Sequence, residues 1–320
     1  MNVQTQKGRV VYNNIYDVVI IGSGPAGLTA GIYCGRAGLK GVIITGIPWG
    51  GQIAYAPQVE NFPGFPEGIK GFDLISRIKK QVEKFGIIFI EDEAVEIQNK
   101  KSPFRIKLKT GKTINGKTII IATGRSPRKL GIDGEDRFLG RGISYCATCD
   151  GPLYKNKVVG VVGGGDSALS EAIFLADIAS KVYIIHRRDQ FRGANYLADI
   201  IYKRKNIEIK WNKIVVEIFG KHRLEEVVLE DTVDQKREKI KMDGIFIAIG
   251  SEPNTAWLKK TIQIDENGYI VVKEDVKTSI DGIFAAGEVV ANGYNQAITS
   301  AADGCKAGIK AQQWLFSTQN

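Results

Sequence analysis

At 320 residues the chain is longer than one typical domain, and two domains are the expectation. Hydrophobic residues make up 43% and charged residues 25%, which excludes a disordered or collagen-like chain and predicts a soluble globular protein. Lys and Arg number 44 against 35 Asp and Glu, a net charge of +9. The basic residues form no concentrated block, so no nucleic-acid patch is expected; the excess reads as a solvated Lys-rich surface, with an acidic docking partner left open.

Residues 1–14 carry neither the apolar core of a signal peptide nor the arginines of a transit peptide, and read as a polar extension. The apolar runs are strand-sized, far below the roughly 20 residues of a membrane span, so no membrane association and a cytoplasmic location are expected. The first run, Val18-Val19-Ile20-Ile21, is continuously apolar, as in a parallel strand buried on both faces. A turn, Gly22-Ser23-Gly24-Pro25-Ala26-Gly27, leads into a helix predicted over 28–37 and stopped at Gly38, then a second strand over 41–45. In such a unit the glycines form the turn and admit a pyrophosphate, which the helix N-terminus attracts. About 20 positions past this turn a ribose-binding acid is expected; Val42 to Gly46 stands there instead, so the fingerprint alone does not assign the first nucleotide. The unit closes on Ile119-Ile120-Ile121-Ala122-Thr123-Gly124, with Pro127 beyond.

Of four cysteines, Cys34 and Cys305 stand alone and read as small buried apolar residues. Cys146-Ala147-Thr148-Cys149 is a CxxC pair, read as redox-active or metal-binding. Zinc needs two further ligands, and neither His186 nor His222 is spaced to complete a site with the pair, so no metal is expected. Asp150 directly follows the pair; by position alone it reads equally as a proton donor and acceptor for a thiolate or as a turn aspartate.

The strand-turn-helix plan recurs: a strand over 158–162, the turn Gly163-Gly164-Gly165-Asp166-Ser167-Ala168, a helix to about 179 and a strand over 182–186. The second strand ends on His186-Arg187-Arg188, with Arg192 close behind and no acid at the strand end. Arginines there suit a 2′-phosphate and favour NADP over NAD, against the plainer reading of an exposed basic turn. The closing phrase repeats as Ile245-Phe246-Ile247-Ala248-Ile249-Gly250, with Pro253 beyond. Two fingerprints in matched context predict an α/β chain of two Rossmann-like nucleotide-binding domains.

With Cys146-Ala147-Thr148-Cys149-Asp150-Gly151 just before the second fingerprint, the chain resembles the low-molecular-weight thioredoxin reductases from Asp17 to about Ala311. Gly50-Gly51-Gln52, Val59-Glu60-Asn61-Phe62-Pro63-Gly64, the arginine set, the 282–289 segment and Gln296-Ala297-Ile298 carry the resemblance further. It implies three-layer ββα domains, the second inserted into the first: an FAD domain over 1–126 and 251–320, and an NADPH domain over 127–250 holding the CxxC disulfide. Its two connections would form a hinge. For FAD it implies Gly22, Gly24, Pro25, Ala26, Gly27, Thr45, Gly51, Gln52, Asn61, Thr123, Gly124, Gly287, Glu288, Gln296 and Ala297. For NADPH it implies Gly163, Gly165, Asp166, Ser167, Ala168, His186, Arg187, Arg188 and Arg192. It further implies a homodimer, a Cys146–Cys149 disulfide with Cys149 nearer the flavin, acid/base work for Asp150, and a thioredoxin or glutaredoxin-like protein as partner. Glu288 departs from the family's usual Asp, and Asn295 stands where many members have Arg. The alternatives are a dithiol oxidase or a reductase fed by a donor other than NADPH, and a nucleotide-binding scaffold without activity.

Overall fold

The computed structural model describes residues 14–56, 58–258, 261–291 and 293–318. The polar extension therefore lies outside the described residues, apart from Asn14. In chain order the elements are β1 (Ile15–Ile21), α1 (Pro25–Arg36), β2 (Gly41–Ile44), α2 (Gly71–Lys84), β3 (Ile88–Ile90), β4 (Ala94–Ile97), β5 (Phe104–Leu108), β6 (Thr113–Ile121) and β7 (Arg125–Pro127). There follow α3 (Glu135–Phe138), β8 (Ile143–Ser144), α4 (Ala147–Asp150), β9 (Val158–Val162), α5 (Asp166–Ala176), β10 (Lys181–His186), α6 (Asn195–Lys203) and β11 (Ile207–Trp211). The rest are β12 (Lys213–Phe219), β13 (Glu226–Asp231), β14 (Arg237–Lys241), β15 (Gly244–Ile247), β16 (Ser251–Pro253), β17 (Ile283–Ala285) and α7 (Ala297–Ser317).

The chain divides into two compact units, one of Met1–Ala56, Phe62–Ser126 and Glu252–Asn320, the other of Pro57–Asn61 and Pro127–Ser251. In the first unit β3, β2, β1 and β6 lie side by side in parallel. β6 spends its other edge twice: antiparallel to β5 over its first half, parallel to β17 through Ile119–Ile121 over its second. A strand from the end of the chain thus completes a sheet begun at its start.

The apolar runs are continuous because alternate residues enter different cores. Val18, Ile20, Ile43, Ile120 and Phe284 pack with α1, α2 and α7, while Val19, Ile21, Val42, Ile119 and Ile121 pack with Phe104, Ile106 and Leu108 of β5. Both faces of this sheet are covered, the condition under which parallel strands lose their polar alternation.

The second unit repeats the scheme. Its sheet runs β11-β10-β9-β15-β8, all parallel. Val161, Ile184 and Phe246 face Leu169, Ala172 and Leu175 of α5; Val162, Ile185 and Ile247 face Val215, Ile218 and Val227 of the antiparallel β12-β13-β14 sheet. Helices, parallel sheet and antiparallel sheet make three layers.

Element ends differ from the sequence expectation at three places. α1 starts at Pro25 rather than residue 28, since a proline at the first helical position has no N–H to lose and holds the required φ. It ends at Arg36, and α5 at Ala176, three residues before the expected 179. There Ile178 N and Ala179 N both turn back onto Leu175 O, at 3.0 and 2.7 Å, and the helix tightens to a close. β7 and β16, the two strands at the junctions between the units, form a two-stranded ribbon. Among the described residues no helix is long and apolar enough to cross a membrane.

Candidate functional site

The chemistry-bearing pair lies in the second unit. Cys146 and Cys149 are joined by a disulfide with Cα atoms 5.3 Å apart, across the single turn of α4. Cys146 caps that turn, its Sγ accepting Cys149 N–H at 3.2 Å and lying 3.4 Å from Thr148 Oγ1. Cys149 is exposed and Cys146 half-buried.

The turn is anchored by residues that sequence reading passed over. Ser144, buried on β8 and in register with Phe246 of β15, donates its hydroxyl to Asp150 Oδ2 at 2.6 Å and accepts Cys146 N–H at 3.0 Å. Burial holds the Asp150 carboxyl above its ordinary range, and the Ser144 bond partly offsets it. Glu135, itself buried, accepts Tyr145 O–H at 2.7 Å and the N–H groups of Leu130 and Gly131 at 3.0 and 2.9 Å. Burial, and next the Glu135 bond, push the Tyr145 hydroxyl up, so it stays a donor. A serine two places before the first cysteine was the available signal for Ser144; Glu135 had none, since its partners are close in space and unremarkable in sequence.

The glycine turn of the second unit faces the end of β10. His186 is buried against Gly164, its Nε2 3.0 Å from Gln190 O, with Phe191 and Trp211 ring centroids at 5.9 and 6.1 Å. Burial, and next the neighbouring arginines, lower its pKa against the opposing pull of Gln190 O, so at neutral pH the ring is uncharged. Arg192 N and Gly193 N both donate to Gly164 O, at 2.8 and 3.1 Å, which ties Arg192 to the turn. Arg187, Arg188 and Arg192 are exposed, and Ser167 is exposed at the start of α5. Asp166 Oδ1 accepts Ala194 N–H at 2.7 Å, so its carboxylate braces this loop, and Ala168 packs beneath Gly163. Gly165 precedes α5 with no side chain capping the helix and open space where a Cβ would stand.

In the first unit Gly22 ends β1, and Gly24, Pro25, Ala26 and Gly27 open α1, whose start no side chain caps and whose first turn has no acid. Ser23, unassigned from sequence, donates to Thr45 O at 2.8 Å and accepts Gly50 N–H at 2.9 Å. That lacing brings Gly51 over Gly24, so close that a Cβ on Gly51 would sit 3.2 Å from Gly24 Cα. Gln52 follows in a short 3-10 turn. Thr123 Oγ1 donates to Asn254 O at 3.0 Å, Asn254 N donates to Gly124 O at 3.0 Å, and Asn254 Nδ2 donates to Thr123 O at 2.9 Å. Gly287 packs on Ala26, and Glu288 Oε2 meets Arg125 Nε at 3.2 Å. Gln296 and Ala297 open α7. Asn61 is grouped with the second unit.

Of the lone cysteines, Cys34 is fully buried and its thiol is pushed up to about 12 by that burial, which suits packing rather than redox work. Cys305 is free and half-buried on α7.

Residues 16–304 match the family model of the pyridine nucleotide-disulphide oxidoreductases. A thioredoxin reductase of Rickettsia conorii is 40% identical over 93% of this chain and 97% of its own length. One from Vibrio cholerae is 41% identical over 94% and 96%. Among solved structures, a Streptococcus pyogenes thioredoxin reductase superposes with a TM-score of 0.91 at 37% identity, covering 95% of this chain and 99% of that one. A Giardia duodenalis thioredoxin reductase superposes at 0.88 with 38% identity over 95% and 100%. Read with the disulfide turn and the paired glycine turns, these likenesses establish that the chain belongs to the pyridine nucleotide-disulphide oxidoreductase family, among its thioredoxin reductases.

Proposed function

We propose that this protein is an NADPH-dependent, FAD-containing thioredoxin-disulfide reductase, a homodimer of the cytoplasm, passing electrons through Cys146 and Cys149 to a thioredoxin-like disulfide. The observation that carries the reading is the Cys146–Cys149 disulfide, built into the same unit as the glycine turn and its three arginines. The residues present fit both nucleotides. The Gly24–Gly51 approach leaves a side-chain-free cradle before an uncapped, acid-free helix start, as the pyrophosphate of FAD needs. The open space at Gly165, in the turn whose Gly164 carbonyl receives Arg192 N–H, with Arg187 and Arg188 exposed at the end of β10, suits a second, 2′-phosphorylated nucleotide.

When bound, the flavin supplies the conversion between hydride donation and dithiol chemistry that side chains lack. Two electrons reaching the pair break the S–S bond and leave two thiolates, one of which takes the single proton that Asp150 gives and later recovers. An exposed thiolate can attack a partner disulfide through a mixed disulfide. The exposure of Cys149 when oxidised does not assign that attack; the family resemblance gives Cys149 to the flavin side and leaves Cys146 for the partner.

An anaerobic NADPH titration of flavin absorbance tests the reading. We expect NADPH to bleach the flavin in the wild type and in Cys146→Ser and Cys149→Ser, with reduction of a protein disulfide abolished in both variants. If Cys149 lies nearer the flavin, only Cys146→Ser shows a long-wavelength thiolate–flavin band. Failure of NADPH to bleach the flavin would favour a reductase served by another donor.

A further inference from the structure

Asp150, half-buried at the end of α4, is asked to change charge where water reaches it poorly, and a carboxyl so placed needs a partner suited to both of its forms. A backbone N–H could serve only the carboxylate, and a carbonyl only the acid. Ser144 is the residue the fold has placed there. Its hydroxyl has one proton to give and two lone pairs, and three groups lie within reach: Asp150 Oδ2 at 2.6 Å, Cys146 N at 3.0 Å and Cys146 O at 3.3 Å.

Two arrangements follow, the first using two of these groups and the second all three. With Asp150 ionised, Ser144 donates to the carboxylate and accepts Cys146 N–H. With Asp150 protonated, the acid donates to Ser144 Oγ, Cys146 N–H still donates to it, and the serine proton turns to Cys146 O. No buried donor is stranded in either state, where a stranded one would cost about 1–3 kcal/mol. Ser144 is itself held still, 3% exposed on a strand in register with β15.

We propose that Ser144 is the positioning residue of the disulfide chemistry, its hydroxyl turning between Asp150 and the Cys146 carbonyl as Asp150 loses and regains its proton. The proposal rests on the reading of Asp150 as the acid/base. It makes the serine a regulator of how readily that carboxyl releases a proton, and the same oxygen fixes the backbone of Cys146. The other groups around Asp150 leave the role open to Ser144. Tyr154, on the turn that follows, is pushed up to about 12 by burial first, with Asp150 and Asp243 adding to this and Arg223 opposing, so it is neutral across the working range. On the α5 side Phe174 and Leu175 face Gly151, next to Asp150, and the carboxylates of that helix are Asp166 and Glu171.

The test follows the Asp150 side-chain carboxyl by carbon NMR in the oxidised, FAD-loaded protein, its signal assigned by its absence in Asp150→Asn. In Ser144→Ala the carboxylate loses its charge-assisted donor, and the titration midpoint should move up by about one pH unit, a tenfold change in the ionisation constant. Ser144→Gly should do the same, and Ser144→Thr, which keeps the hydroxyl, should return it to near the wild-type value. The pH profile of protein-disulfide reduction should move with it. An unmoved midpoint in folded Ser144→Ala and Ser144→Gly would overturn the role of Ser144. A different result would overturn the underlying reading: a pH profile of disulfide reduction that Asp150→Asn leaves unchanged means that Asp150 carries no proton.

Discussion

Among single residues, the nucleotide site proposed at the second glycine turn would draw on two kinds of contribution. Gly164 lacks a side chain because His186 occupies the place a Cβ would take, and its carbonyl gathers Arg192 N and Gly193 N. Gly164→Ala must push the ring or the loop aside, an overpacking cost of about 1–3 kcal/mol. It should weaken NADPH and NADH alike, by roughly tenfold, as measured by fluorescence titration. His186→Ala in the same chain should recover part of that loss by vacating the space. Neutral replacements at Arg187, Arg188 and Arg192 act on charge instead. Each should cost NADPH roughly tenfold or more and NADH little, because only NADPH carries the 2′-phosphate. Equal losses for the two nucleotides in the arginine variants would remove these residues from the phosphate. The arginines could be singled out for this proposal because a position after a βα turn has a chemical meaning; the reason for Gly164 could not be read, since it depends on a ring 22 positions away in the chain.

At the level of elements, the sequence disclosed the two strand-turn-helix units well and the closing helix poorly. The central strands announce themselves because both of their faces are buried, which leaves uninterrupted apolar runs such as Val18-Val19-Ile20-Ile21. β17 is three residues long and α7 has a composition of small residues, so neither declares its place. Their fit is a matter of close approach. Gly304 of α7 lies against the Ala26 backbone of α1, and Gly308 packs on Ala30 and Tyr33, where a Cβ would come within 3.0 Å of Tyr33 Cβ. Ala26 belongs to the first glycine turn, so this helix pair supports the cradle from behind. Gly304→Val should force α1 and α7 apart and destabilise the first unit by at least about 1–3 kcal/mol. The expected signature is a lower flavin content on purification and a lower melting temperature, with NADPH binding by the second unit kept. A variant that retained full flavin would show that the α1–α7 contact does not support the turn.

For the molecule as a whole, the order of the chain and the order of the architecture disagree, and the disagreement sets an expectation about ligands. The first unit is begun by residues 14–126 and finished by residues beyond 251, because β17 must pair with β6. The sequence motifs alone indicated two repeats in tandem; that one interrupts the other came from the family resemblance, since three residues pairing across such a separation leave no periodic trace. Each unit owns its cores and its glycine turn. A ligand stabilises the state that binds it, by an amount set by its concentration over its dissociation constant, so its effect should be local to the unit that holds the site. Hydrogen exchange on the full chain can read this in three states: without ligand, with FAD, and with FAD plus NADP+, which binds without delivering electrons. FAD should slow exchange at residues 22–28, 50–52 and 296–300, drawn from both ends of the chain yet belonging to one unit. Addition of NADP+ should then slow 163–169 and 192–194, the segments joined through Gly164 and Asp166. Protection by FAD at 163–169 with none at 22–28 would exchange the two nucleotide assignments. Protection by FAD at 22–28 without 296–300 would mean that the closing helix takes no part in the flavin site, and that the last stretch of the chain completes the sheet alone.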